Sequence, residues 1–166
     1  MTGIARRTPH RGRTLVSATP NRPIHVLLVE DNDDDIEIAK HVLAKSGVAA
    51  RLHIVRDGRE ALDFLYHRRR WRDRRGGGSV VPDLALLDLR LPKIDGLAVL
   101  QQMRSDRRLR SIPVVVLTGE ANDRLLRACM EFGANMYLVK PMAMEDVMNI
   151  LAGVQRYWVA IDRQAA

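Results

Sequence analysis

The chain contains a single cysteine, Cys129. One thiol excludes a disulfide framework within one chain and suits a reducing cytoplasm. Its surroundings read as a helix, with Cys129 a small, semi-buried residue of it. No apolar run approaches the roughly 18–20 residues that a membrane span requires, so a soluble protein is expected. The N-terminus is basic, but no apolar stretch follows it. Leu15 and Val16 stand isolated among polar residues, which argues against a secretory signal. Acidic residues are missing altogether from positions 1–22, which hold Arg6, Arg7, Arg11, Arg13 and Arg22. Nor do His25, His41, His53 and His67 show a ligand spacing with the cysteine or with one another. They are expected to be structural or exposed.

What is present suits one domain with a peripheral tail: 166 residues, of which 46% are hydrophobic. The net charge of +7 is unevenly spread. Beside the basic tail, the stretch His67–Gly78 holds six arginines against Asp73 alone, and the remainder is net acidic. The basic segments are candidates for contact with nucleic acid or anionic lipid. The plainer reading, a solvated tail and a solvated loop, is preferred because Trp71 is their only aromatic residue.

Along the chain, residues 1–22 lack periodicity and read as a disordered tail. Ile24–Val29 then forms a nearly continuous apolar run, the mark of a strand buried on both faces. A helical pattern follows through Ile36, Ala39, Val42 and Leu43, with Gly47 as its stop. The alternation recurs. Strands are expected at 51–55, 84–87, 114–117 and 136–139. Helices are expected at 58–67, 96–105 (with Leu97, Leu100 and Met103 inward), 123–131 and 144–161. Five such units imply a parallel sheet with helices on both faces, a doubly wound α/β domain over residues 23–162. Residues 68–81 form an Arg/Gly-rich loop insertion, and 163–166 a short C-terminal tail.

Function in such folds gathers at the carboxyl ends of the strands. Glu30 and Asp31 follow the first strand, Asp88 the third, Thr118 the fourth and Lys140 the fifth. Three converging carboxylates repel one another, and a hard divalent cation such as Mg²⁺ relieves that repulsion. A lysine adds a compact positive charge and a hydroxyl adds a hydrogen bond. Together they cradle a three-oxygen anion beside a carboxylate, which is what phosphoryl transfer to an aspartate needs.

The runs Val29-Glu30-Asp31-Asn32, Leu86-Leu87-Asp88-Leu89-Arg90-Leu91-Pro92, Asp95-Gly96, Leu117-Thr118-Gly119 and Lys140-Pro141 resemble the five signatures of response-regulator receiver domains. The spacing is similar too, with 30 residues from Asp88 to Thr118 and 22 from Thr118 to Lys140. The resemblance implies a flavodoxin-like (βα)5 fold with strand order 2-1-3-4-5. It implies that Asp88 is the phosphoacceptor and that Asp31 and Asp88 bind Mg²⁺. Glu30 would act mainly through metal-bound water, and the backbone carbonyl of Arg90 would complete the protein ligands. Thr118 and Lys140 would contact the phosphoryl group. Tyr137 would be the aromatic that changes rotamer with Thr118, and the Lys140–Pro141 bond would be cis. The long loop before the third strand, the run Leu91-Pro92-Lys93-Ile94-Asp95-Gly96 and the pair Tyr157-Trp158 are similar to the small response regulators that partner bacterial phytochromes.

Three departures and decoys qualify the resemblance. Arg90 stands where many receivers carry a smaller polar residue; its side chain is expected to screen Asp88 from water or to pair with Glu120. Met142 replaces a common aromatic and reads as packing. Asp31–Asp35 mimics a calcium loop, but the sixth and twelfth positions are Ile36 and Val42 rather than Gly and Glu. Asp33, Asp34 and Asp35 read instead, for at least two of them, as favourable charge at a helix N-terminus.

The expected function is a cytoplasmic single-domain switch phosphorylated by a histidine kinase. The residues after Lys140 are consumed by one helix, so output would come from partner binding or from dimerisation through the last helix and Tyr157/Trp158. A phosphohydrolase with an aspartyl nucleophile is the enzymatic alternative. Arg90 occupies the place of that group's second aspartate, so turnover of an external substrate is not expected. Nucleic-acid binding through the basic segments is the third reading.

Overall fold

The computed structural model describes residues 22–68, 71, 80–120 and 122–165, with the side chains of the last helix given through Val154. The expected tail lies almost wholly outside the described residues, as does most of the Arg/Gly-rich loop. Five strands, β1 (Ile24–Val29), β2 (Ala50–Val55), β3 (Leu84–Asp88), β4 (Val114–Thr118) and β5 (Met136–Val139), alternate with five helices. These are α1 (Asp33–Lys45), α2 (Gly58–Leu65), α3 (Gly96–Ser105), α4 (Asp123–Glu131) and α5 (Met144–Ala165). The sheet is wholly parallel, in the order β2-β1-β3-β4-β5.

Side chains alternate across a strand, so a central strand must feed two cores. β1 sends Leu27 and Val29 to one side, where they pack with Phe64 and Leu65 of α2 and Leu100 and Met103 of α3. It sends Val26 and Leu28 to the other, against Ile36 and Val42 of α1 and Ile150 and Leu151 of α5. Cys129 belongs to the first core and is fully buried rather than semi-buried. α3 turns Val99 inward with Leu100 and Met103, and Leu97 is only partly covered.

Two helix ends differ from expectation, and β2, β3 and β4 are each one residue longer than expected. α2 closes at Leu65 with Tyr66 as its cap, and His67 adopts φ 52. The positive φ breaks the helix two residues before the apolar pattern would. The last helix runs on to Ala165, so residues 163–165 are helical rather than a tail. α1 ends at Lys45, just before Gly47, as expected. No helix among the described residues is long and apolar enough to cross a membrane.

The β1–β3 junction is where the order of connection reverses, and the loops after those strands splay apart there. Two glycines let the neighbouring loops close up. A Cβ on Gly96 would lie 2.0 Å from the Asp88 carbonyl oxygen, and one on Gly58 would lie 1.9 Å from that of Ile94. Both close approaches are to backbone, so only glycine fits.

Candidate functional site

The strand ends deliver four charged side chains to one place. Glu30, just past β1, is 1% exposed. Its Oε1 accepts the Asn32 N–H at 3.0 Å and its Oε2 accepts from Lys140 Nζ at 2.9 Å. Asp88, the last residue of β3, is also buried. Its Oδ1 accepts the Arg90 N–H at 2.9 Å and its Oδ2 accepts from Lys140 Nζ at 2.8 Å. Lys140 directly follows β5, its bond to Pro141 is cis, and its Nζ donates a third time, to Asp35 Oδ2 at 2.8 Å.

The electrostatics follow from burial and pairing. Burial pushes the Glu30 carboxyl above its ordinary range, against the pull of the Lys140 hydrogen bond. Burial acts to lower Lys140, but its bonds to Asp35, Asp88 and Glu30 outweigh that and hold the ammonium above the usual lysine range. Lys140 is therefore a fixed positive charge at any physiological pH.

The acidic residues fit a divalent cation. One oxygen from each of Glu30, Asp31 and Asp88 lies within 4.8 Å of the others, and Asp31 is exposed at the mouth. An all-oxygen donor set open on one side suits a hard ion that keeps some of its water.

The Thr118 hydroxyl donates to the Glu120 carbonyl at 3.0 Å and accepts the Glu120 N–H at 3.2 Å, so it faces its own loop. Tyr137 is 41% exposed and lines an open cleft with Leu126, Arg127 and Met130 of α4. Of the two roles open to the Arg90 side chain, the structure takes pairing: its guanidinium meets Glu120 at 2.7 Å. Met142 is buried in the α1/α5 core, as packing requires. Tyr157 and Trp158 lie in α5, but their side chains fall outside the described residues.

Sequence reasoning missed three residues around the site. At least two of Asp33, Asp34 and Asp35 read as helix-terminal charge with none singled out, and Asp35 is the one that reaches Lys140. The helical spacing contained the signal, since Asp35 stands four residues before Ala39 and so on the inward face. Arg56 ties the β2–α2 loop to the acidic loop, through Asp33 at 2.6 Å and the Asp31 carbonyl at 3.3 Å. Lys93 pairs with Asp57, the α2 N-cap, and so ties the loop after β3 to the same place. Neither tie has a sequence signal, because each joins segments brought together only by the strand order.

Residues 26–152 match the model of the response regulator receiver domain. FilR2 of Methanothrix harundinacea, described as a probable methanogenesis regulatory protein, is 40% identical over 85% of this chain and 87% of its own. Response regulator Rcp1 of Synechocystis is 36% identical over 87% of this chain and 95% of its own. The structure of Rcp1 in its Mn²⁺-bound form superposes with a TM-score of 0.67 at 37% identity, covering 82% of this chain and 94% of that one. The bacteriophytochrome response regulator RtBRR gives a TM-score of 0.70 at 40% identity, covering 80% of this chain and 78% of that one. With these relatives, this fold and this acidic pocket, the chain belongs to the family of response regulator receiver domains.

Proposed function

We propose that the chain is a phosphorylation switch that takes a phosphoryl group from a histidine kinase onto Asp88. One observation carries this reading: a buried carboxylate at the end of β3 shares an ammonium with Glu30, beside three carboxylate oxygens that suit a divalent cation. An Asp88 oxygen attacks phosphorus, the P–N bond to the donor imidazole breaks, and its electron pair leaves with the imidazole. Glu30, Asp31, Asp88 and the Arg90 carbonyl would hold Mg²⁺, which neutralises charge on the phosphoryl oxygens. Lys140 supplies a second positive charge, and the Arg90 N–H steadies the other Asp88 oxygen. Thr118 would turn its hydroxyl from Glu120 to the phosphoryl group, and Tyr137 would follow it inward.

Phosphorylation adds about two negative charges and three acceptor oxygens, enough to bias a pre-existing equilibrium of these loops. The readout would be a partner or a second copy of the chain. Met130, Phe132, Met136, Tyr137, Val139 and Met148 are all exposed on α4, β5, α5 and the adjoining turn, an apolar surface suited to either. The name of RtBRR and the shared architecture favour a phytochrome-type kinase, whereas the name of FilR2 points to another context.

Phosphotransfer profiling against the histidine kinases of the source genome tests the proposal. Asp88→Asn is expected to keep the fold and lose all phosphate uptake; undiminished uptake would refute the assignment. The phosphohydrolase alternative predicts turnover of a generic phosphate ester, and none is expected. The Arg90–Glu120 pair joins the loop after β3, which ends at Asp88, to the loop after β4, and we propose that it sets the lifetime of the acyl phosphate. An unchanged dephosphorylation rate in Arg90→Asn would sink that idea.

A further inference from the structure

An ammonium has three protons, and Lys140 spends them on three carboxylates: Glu30 at 2.9 Å, Asp35 at 2.8 Å and Asp88 at 2.8 Å. Two of these acceptors belong to the acidic pocket. Asp35 does not. It stands on a different element, in the first turn of α1, and is absent from the trio of oxygens that suits a cation. Its place is set from behind, because the Asn32 side chain accepts the Asp35 N–H at 3.1 Å and caps the helix. Its neighbour Asp33 is engaged by Arg56 instead.

We infer that Asp35 is a positioning residue, which acts through Lys140 to hold the ammonium beside Asp88 while the phosphoryl group is transferred. The inference rests on the reading of Asp88 as phosphoacceptor. As the new P–O bond forms, the Asp88 carboxylate gives up its charge to the phosphoryl oxygens, and its claim on Lys140 weakens. Glu30 has a competing role as a candidate metal ligand. Asp35 alone of the three acceptors has no other task among the described residues, so its grip persists through the step. A lysine on a flexible four-carbon stem otherwise has two other places to go. The capped turn of α1 thus serves as a fixed post that keeps Nζ pointed at the rim.

The test is a double-mutant cycle on the full chain, with phosphoramidate and Mg²⁺ as the phosphorylating system. Asp35→Asn is expected to lower the maximal phosphorylation rate about tenfold with little change in the donor's KM, since misplacing a group costs rate rather than affinity. Asp35→Glu, which restores the charge on a longer arm, is expected to recover most of that loss. Asp34→Asn, which removes an equal charge one residue away, is expected to change nothing. In a Lys140→Ala background, Asp35→Asn is expected to have almost no further effect, because both act through one contact. The inference is overturned if Asp35→Asn keeps the wild-type rate, if it costs the same factor without Lys140, or if Asp34→Asn matches it.

A second readout needs neither metal nor phosphodonor. Lys140 acetylation by acetic anhydride, followed by peptide mass spectrometry, is expected to quicken several-fold in Asp35→Asn as one of three tethers is lost; an unchanged rate also overturns the inference. If Asp88→Asn still takes up phosphate, the phosphoacceptor reading fails, while lysine reactivity still reports the grip of Asp35.

Discussion

Lys140 donates to three carboxylates at once, and this makes the stability of the whole domain depend on pH at the alkaline end. The folded ammonium lies above the ordinary lysine value of 10.5. A raised base contributes stability that is fully present below the unfolded value and is lost as pH rises through the folded one. In chelating buffer, the thermal midpoint is therefore expected to fall as pH climbs past about 10.5, and to fall less in Asp35→Asn. Circular dichroism melts across that window check it, and a flat profile would contradict the triple pairing. Arg104 plays a comparable part away from the site. Its guanidinium donates to the carbonyls of Gly133, Arg110 and Ile112 and to Asn135 Oδ1, which itself accepts the Val114 N–H. One side chain thus joins α3, the turn after α4 and the start of β4. Arg104→Ala strands partly buried acceptors and is expected to cost about 3 kcal/mol in urea denaturation. Some residue-level features were legible from sequence type alone, such as Asp88 and Lys140 at strand ends. The pairing of His25 Nδ1 with His53 Nε2 at 2.9 Å was not, because it needs the β1–β2 register to bring two distant histidines onto one face.

At the scale of elements, four helices begin on an Asx cap. Asn32, Asp57, Asp95 and Asn122 each accept a backbone N–H of their own first turn. Such starts are local chemistry, and the expected starts at 58, 96 and 123 coincide with the observed ones. Asn122→Ala is expected to cost about 1 kcal/mol through the loss of its two accepted bonds, measurable by chemical denaturation. The C-terminal ends were harder. α2 stops early because His67 turns to positive φ, a backbone choice that the apolar pattern does not encode. Gly96 marks where an element meets the site. Its missing Cβ would stand 2.0 Å from the Asp88 carbonyl, so α3 starts in contact with the end of β3. Gly96→Ala must move backbone and is expected to cost at least about 3 kcal/mol while also slowing phosphate uptake. A variant with wild-type stability would show that the two elements can separate freely.

For the whole molecule, the parallel sheet sets a front and a back. The carboxyl ends of β1, β3 and β5 carry the charged cluster, and the apolar surface of α4, β5 and α5 lies to one side. Exposed methionines there suit a contact that forms and releases, since the side chain adapts to its partner. Met136→Glu with Met148→Glu is expected to leave phosphate uptake by Asp88 intact and to abolish any phosphorylation-dependent change in sedimentation or partner capture. Unaltered association in that variant would place the output surface elsewhere.

The amino-acid sequence determined the alternation of strands and helices, because hydrophobic period and capping residues are short-range properties. It also placed Glu30, Asp31, Asp88, Thr118 and Lys140 at strand ends, because a polar residue directly after a buried run has few other places to be. Tertiary structure decided which of these groups touch. Only the crossing of α1 over the sheet brings Asp35 to Lys140, 105 residues away in the chain. Only the loop geometry turns Thr118 to Glu120 and joins Arg90 to the same residue. The physical reason is range: periodicity and caps act over a few residues, whereas an ammonium chooses its carboxylates by distance in space.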